Sequence, residues 1–210
     1  MKKLFILMIM ASGISITAQN IVLPEPQKTG GKPLMEALNE RHSSRTFSER
    51  EPDLQTLSDL LWAGFGYNRP EERKRTAPTS RNYQEIEIYV SIASGLYVYD
   101  AWENTLVQIH NRDIRANTGS QDYVGKAPLN LVYVANQQKV QNPHSERQLL
   151  ASHTNAGFIA QNVYLYCASE GLVAVVRALF DSEILKKEMA LDENMIIILT
   201  QTVGYPQKEN

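Results

Sequence analysis

The sequence predicts a layered domain of the α+β or α/β class, with helices packed on a sheet. Three observations carry that prediction. Ile86, Ile88, Val90 and Ile92 alternate with Glu85, Glu87, Tyr89 and Ser91, the period-two pattern of a strand with one buried face. The stretch from Glu146 to Ser169 is the longest helix candidate. It is apolar on more than one face between Ala156 and Ala168, so it must be buried. Short apolar runs at Leu129–Ala135, Leu172–Val176 and Met195–Val203 are punctuated by Pro128, Gly171 and Gly204, as strands are. With 210 residues, 43% of them apolar, the chain is long enough for one real core.

The elements follow in order. Lys2 and Lys3 precede an apolar stretch from Leu4 to Ile16, and Ile16-Thr17-Ala18 offers a signal-peptidase site. The run falls short of the roughly 20 residues a bilayer requires, so residues 1–18 are expected to be a cleaved export signal. No stable membrane anchor is expected afterwards, and the destination is the periplasm. Residues 19–32 hold two prolines and two glycines and form a linker or N-terminal arm. The folded domain then spans 33–210. Pro33 opens a first helix with Leu34, Met35 and Leu38 on one face. A second begins near Pro52, with Leu54, Leu57, Leu60 and Leu61 at helical spacing, and ends at Gly64 and Gly66. Residues 68–84 make a charged loop before the alternating strand. Leu96–Tyr99 and Thr105–His110 pair as a hairpin, and residues 111–126, polar and without period, are a candidate mobile lid. Asp181 caps a short helix that runs to Met189.

Composition excludes several functions. Beyond the signal the chain has 19 basic and 23 acidic residues, which gives no electrostatic reason for a nucleic-acid partner. Arg69, Arg73, Lys74, Arg75 and Arg81 interleave with Glu71, Glu72 and Glu85, so they are expected to form a solvated loop. Cys167 is the single cysteine, set in an apolar helical stretch, and is expected as a small core residue. His42, His110, His144 and His153 stand singly and form no ligand pair. Dinucleotide, phosphate-loop, zinc-protease and nucleophile-elbow motifs are all missing.

Three segments carry a different chemistry. Arg41-His42-Ser43-Ser44-Arg45-Thr46-Phe47 sets two guanidinium groups around a hydroxyl, a donor set suited to a phosphate. Arg75-Thr76-Ala77-Pro78-Thr79-Ser80-Arg81-Asn82-Tyr83-Gln84 leads into the alternating strand, followed by Gly95-Leu96-Tyr97-Val98-Tyr99-Asp100. On local grounds Asn82 is a turn-former with a self-satisfied side chain. Gly171-Leu172-Val173-Ala174-Val175-Val176-Arg177-Ala178-Leu179-Phe180-Asp181 precedes the last strand, which closes at Val203-Gly204-Tyr205-Pro206.

In this order the segments resemble the FMN-dependent nitroreductase family, and Gly95–Asp100 is similar to its thiazoline/oxazoline dehydrogenase-like branch. The resemblance runs from about Met35 to Pro206. It implies the α+β form of the fold, a central mixed sheet flanked by helices. It also implies bound FMN, with Arg41, His42, Ser43 and Arg45 around the phosphate. Asn82 would lie on the flavin or ribityl chain, the Ala178–Leu179 backbone near the flavin ring, and Lys208 would be a further basic residue. A homodimer with flavin at the interface is implied too, with the helix from Ala156 to Ala168 as an interface element. The implied activity is hydride transfer between a donor and a small organic acceptor through the flavin, with no side-chain nucleophile. Export separates such an enzyme from cytoplasmic NAD(P)H and leaves the donor open.

Two departures stand out. Ala178 and Leu179 replace glycines common in the family, and a left-handed turn there would strain Leu179. The sequence also stops at Asn210, soon after Pro206. Both favour the alternative of an exported flavin-binding module without turnover.

Overall fold

A computed structural model describes residues 19–207; the segment read as an export signal and Lys208 lie outside them. Four helices and nine strands are formed: β1 (Ile21–Val22), α1 (Leu34–Glu40), α2 (Leu54–Phe65), β2 (Tyr67–Arg69), β3 (Lys74–Arg75), β4 (Ile86–Ile92), β5 (Gly95–Asp100), β6 (Thr105–His110), β7 (Leu129–Asn136), α3 (Glu146–Ser169), β8 (Val173–Arg177), α4 (Ser182–Glu188) and β9 (Met195–Gly204). Seven strands form one sheet in the order β1-β6-β5-β4-β7-β9-β8. The α+β architecture agrees with expectation, but all its ladders are antiparallel. Among the described residues, parallel pairing is limited to the isolated bridge Ser43–Ala174. The reason is where the crossover lands. α3 carries the chain from β7 to the sheet edge, and β9 inserts between β7 and β8 with opposite direction to both.

Helix boundaries follow local chemistry. The Asp53 carboxylate accepts the Thr56 N–H at 2.8 Å and caps α2, which stops at Gly66. Ser145 caps α3 through the Gln148 N–H at 3.3 Å, and Gly171 ends that segment with φ +70°. Asp181 accepts the Ile184 N–H at 3.0 Å to start α4.

α2 and α3 pack on one face of the sheet. Leu60, Leu61, Phe65, Ile159 and Val163 meet Ile88, Val90, Leu131 and Tyr133 there. The other face is covered by α4 and the segment after β6, with Ile114, Leu185 and Met189 against Tyr89, Val132 and Val134. β4 is therefore buried on both faces, where its alternation predicts one. Tyr89 and Ser91, polar enough to read as solvent-facing, lie beneath that second layer. Cys167 is buried as expected, and burial pushes its thiol pKa up.

The structure adds to or changes further expectations. The arm at 19–32 is fastened to the body: β1 pairs with β6, and the Pro24 carbonyl accepts from Ser58 Oγ at 2.6 Å and Asn104 Nδ2 at 2.7 Å. The charged loop at 68–84 contains the small hairpin β2–β3. Arg75 is not solvated. It lies 4.4 Å from the Phe65 ring and 4.3 Å from the Tyr67 ring, and donates to the Phe65 carbonyl at 2.7 Å. Residues 111–126 are packed rather than loose, because Ile114, Thr118 and Val124 are buried among their polar neighbours. Finally, Leu34, Met35 and Leu38 of α1 face outward, and Ala37 is the buried residue of that helix.

Leu61 is fully buried where α2 meets the sheet. Leu61→Ala is expected to cost about 2–5 kcal/mol in urea unfolding, since the rigid sheet behind it prevents collapse of the cavity. A loss under about 1 kcal/mol would mean that this layer repacks freely.

Candidate functional site

After α1 the chain runs extended from Arg41 past the end of β8. Ser43 bridges Ala174, and the Ser44 N–H donates to the Ala174 carbonyl at 3.0 Å. Arg41 and Ser43 both turn to Tyr164 of α3. The Arg41 guanidinium stands 5.3 Å from the Tyr164 ring centroid, and Ser43 Oγ shares a 2.9 Å hydrogen bond with the Tyr164 hydroxyl. Arg45 is exposed. Neither arginine forms an ion pair among the described residues. His42 Nδ1 lies 2.8 Å from the Glu40 carbonyl.

A cavity of about 380 Å³ opens beside Arg41 and His42, with Tyr164, Leu172, Val173 and Ala174 in its wall. A slightly larger one, about 410 Å³, lies between the arm, α1, α2 and α3. It contains none of the residues the sequence nominates, so size is a poor guide here.

Ala178 and Leu179 follow β8 and are both exposed. Neither has a positive φ, so the strain a left-handed turn would impose on Leu179 does not arise. The segment after β6 borders both this turn and the 41–47 loop. The Ser120 N–H reaches the Leu179 carbonyl at 3.4 Å, and the Tyr123 ring lies 5.8 Å from that of Phe47. Arg177 fixes the same segment from below. Nearly buried, it donates to the Thr118 carbonyl, Asn130 Oδ1 and Thr202 Oγ1 at 2.8–2.9 Å. Desolvation draws its pKa down to about 10, which leaves it charged at neutral pH.

Asn82 adopts φ +56° within a turn at 80–82 and accepts from Gln84 Nε2 at 3.1 Å. The local reading of it as a turn-former therefore holds. That turn is tied to α3 at Asn155, nine residues before Tyr164 and so roughly 14 Å away along the helix. Ala178 is four residues beyond Ala174, roughly 13 Å along an extended strand. A single copy thus gathers Arg41, Ser43 and Arg45 on one loop but does not bring Asn82 to it.

A family model, described as Nitroreductase family, matches residues 38–205. The chain belongs to the nitroreductase family. A crystal structure of a candidate nitroreductase from Ralstonia eutropha JMP134 is 43% identical over 90% of each chain, with a TM-score of 0.86. A Methanocaldococcus jannaschii protein, named as a candidate nitroreductase, is 29% identical over 72% of this chain and 81% of its own. A candidate nitroreductase from Desulfovibrio desulfuricans, solved in complex with FMN, shares the fold at 19% identity. It covers 85% of this chain and 89% of its own, with a TM-score of 0.62. Family membership supports an oxidoreductase acting on small molecules.

Within this family member, sequence reasoning missed Tyr164. It lies in an apolar helical run, where nothing distinguishes a functional tyrosine from a core one. Yet its hydroxyl accepts the Val176 N–H at 2.7 Å while bonding Ser43, so it joins α3, β8 and the arginine loop. Tyr164→Phe is expected to cost about 0.5–1.5 kcal/mol and to accelerate amide exchange at Val176 and Ser44. Unchanged exchange at both positions would show that the hydroxyl does not hold the loop.

Proposed function

We propose that this chain is an FMN-dependent oxidoreductase that moves a hydride between a donor and a small organic acceptor. One observation carries the reading: two guanidinium groups without carboxylate partners flank a hydroxyl along an extended loop. A flavin phosphate bears close to two negative charges, and arginine forks match its oxygens. The donor set therefore fits that group. Arg41 is steadied by the Tyr164 ring, and Ser43 is oriented by the Tyr164 hydroxyl, so both are preorganised before a ligand arrives. Arg45, exposed two residues further on, is free to close on the phosphate. The FMN bound by the Desulfovibrio relative supports the choice of flavin. When bound, FMN supplies the hydride chemistry, and the protein supplies binding and orientation.

The same reading includes a homodimer whose two copies complete the site. It is supported by the separation of Asn82 from the arginine loop within one copy. Leu34, Met35 and Leu38 on α1 and Leu150 and Phe158 on α3 are exposed large apolar side chains that a second copy would cover. The buried half of α3 belongs to the domain core, so its outer stripe is the interface element. Export to the periplasm rests on residues 1–18, and placement in the thiazoline/oxazoline dehydrogenase-like branch rests on Gly95–Asp100, the strand β5.

Arg45→Ala is expected to weaken FMN binding by about 1.5–3 kcal/mol, the worth of a charged hydrogen bond, with urea unfolding of the apo-protein unchanged. An FMN titration superimposable on the wild type would remove this loop from the phosphate site.

A further inference from the structure

We propose that Asn155, oriented by the buried carboxylate of Glu85, positions the turn that presents Asn82 to the flavin. The proposal rests on the flavin reading above and adds the residues that make its second contact point rigid.

Glu85 is wholly buried at the start of β4. Its Oε1 accepts Asn155 Nδ2 at 2.8 Å and Ser152 Oγ at 3.1 Å, both from α3. Its Oε2 has no partner among the described residues. A buried carboxylate so incompletely served is costly to keep and calls for a reason. What it does is fix an amide. Asn155, almost fully buried, has donors at one end of its side chain and an acceptor at the other. Because the carboxylate oxygen accepts, Asn155 must turn Nδ2 toward Glu85 and leave Oδ1 facing the opposite way. There Oδ1 accepts the Ser80 N–H at 3.3 Å.

Ser80 opens the turn that needs holding. Arg81, Asn82 and Gln84 have φ of +52°, +56° and +50°, three non-glycine residues in the left-handed region within four positions. Such a backbone persists only where surrounding contacts enforce it. Thr79 supplies two, its carbonyl accepting the Asn82 N–H at 3.0 Å and its hydroxyl the Gln84 N–H at 3.1 Å. The Gln84 side chain adds an acceptor for Arg75 Nε at 2.8 Å, and Asn155 supplies the contact that ties the turn to α3. Gln84 Nε2 donates to Asn82 Oδ1, so the end of the amide left for a ligand is the donor Nδ2, which suits an acceptor such as a flavin carbonyl or ring nitrogen. The chain of contact is Glu85 to Asn155 to Ser80 to Asn82. Glu85 and Asn155 touch no ligand in this scheme; they are positioning residues.

The test compares FMN with riboflavin, which lacks the phosphate, by titrating each into full-length mature protein and following flavin fluorescence. Asn155→Ala should raise the dissociation constant of both ligands about tenfold, because the turn contacts a part they share. In an Asn82→Ala background the Asn155→Ala change should add nothing, since it acts through Asn82. Glu85→Gln retains an accepting oxygen and should stay close to wild type, whereas Glu85→Leu should behave as Asn155→Ala. Asn155→Ser serves in place of Asn155→Ala if the alanine variant does not fold. Affinities within twofold of wild type in a folded Asn155 variant would overturn the proposal. So would a loss confined to FMN, or additive effects of Asn82→Ala and Asn155→Ala. If the wild-type protein binds neither flavin, the flavin reading itself has failed.

Discussion

α3 must be buried, and the site depends on how that burial is achieved. Its Ala156, Ile159, Ala160, Val163 and Cys167 lie within the core, so the helix cannot slide or rotate without opening the main apolar layer. From that fixed axis two polar side chains leave about two and a half turns apart, on opposite sides of the helix. Asn155 reaches the turn at 80–82, and Tyr164 reaches the arginine loop and β8. The helix thus sets the spacing of two surface segments that have few internal constraints of their own. A polar residue on such a helix is expensive unless satisfied, and both are satisfied by the segments they position.

The electrostatic pattern complements that scaffold. Arg75 and Arg177 are held inside the protein by acceptors or aromatic rings. Arg41 and Arg45 contrast with them, being accessible and without acid partners on a mildly acidic protein. A cation left unpaired beside a tyrosine and a serine is matched to an anion from outside. Arg177 adds a second constraint. By gripping Thr118, Asn130 and Thr202 it locks the segment after β6 beneath the Ala178–Leu179 turn. That turn is formed by residues without positive φ, and needs no glycine.

Much of the fold was legible because it is written in short-range patterns. The bounds of α3, a start of α2 near Pro52 and the hairpin β5–β6 all follow from periodicity and turn residues. The second covering layer was not legible. Tyr89 and Ser91 alternate with isoleucines as surface residues do, and their burial comes from α4 and Ile114, far along the chain. The packing of residues 111–126 was hidden for the same reason, since Ile114 and Val124 are too sparse to form a period. Of the candidate site, the arginine loop was legible because its residue types announce their chemistry. Tyr164, Asn155 and Glu85 were not, because a polar side chain acquires its role from a partner 67 to 121 residues away.

Binding of a phosphorylated flavin at the arginine loop is the claim from which the rest follows. It is tested most directly by the visible absorbance of purified mature protein titrated in parallel with FMN and with riboflavin. The account predicts saturable binding of one FMN per chain with a shifted flavin band, and affinity for riboflavin at least about tenfold weaker for want of the charged contacts. Protein that remains colourless after removal of excess flavin, or that holds the two flavins equally well, would contradict it.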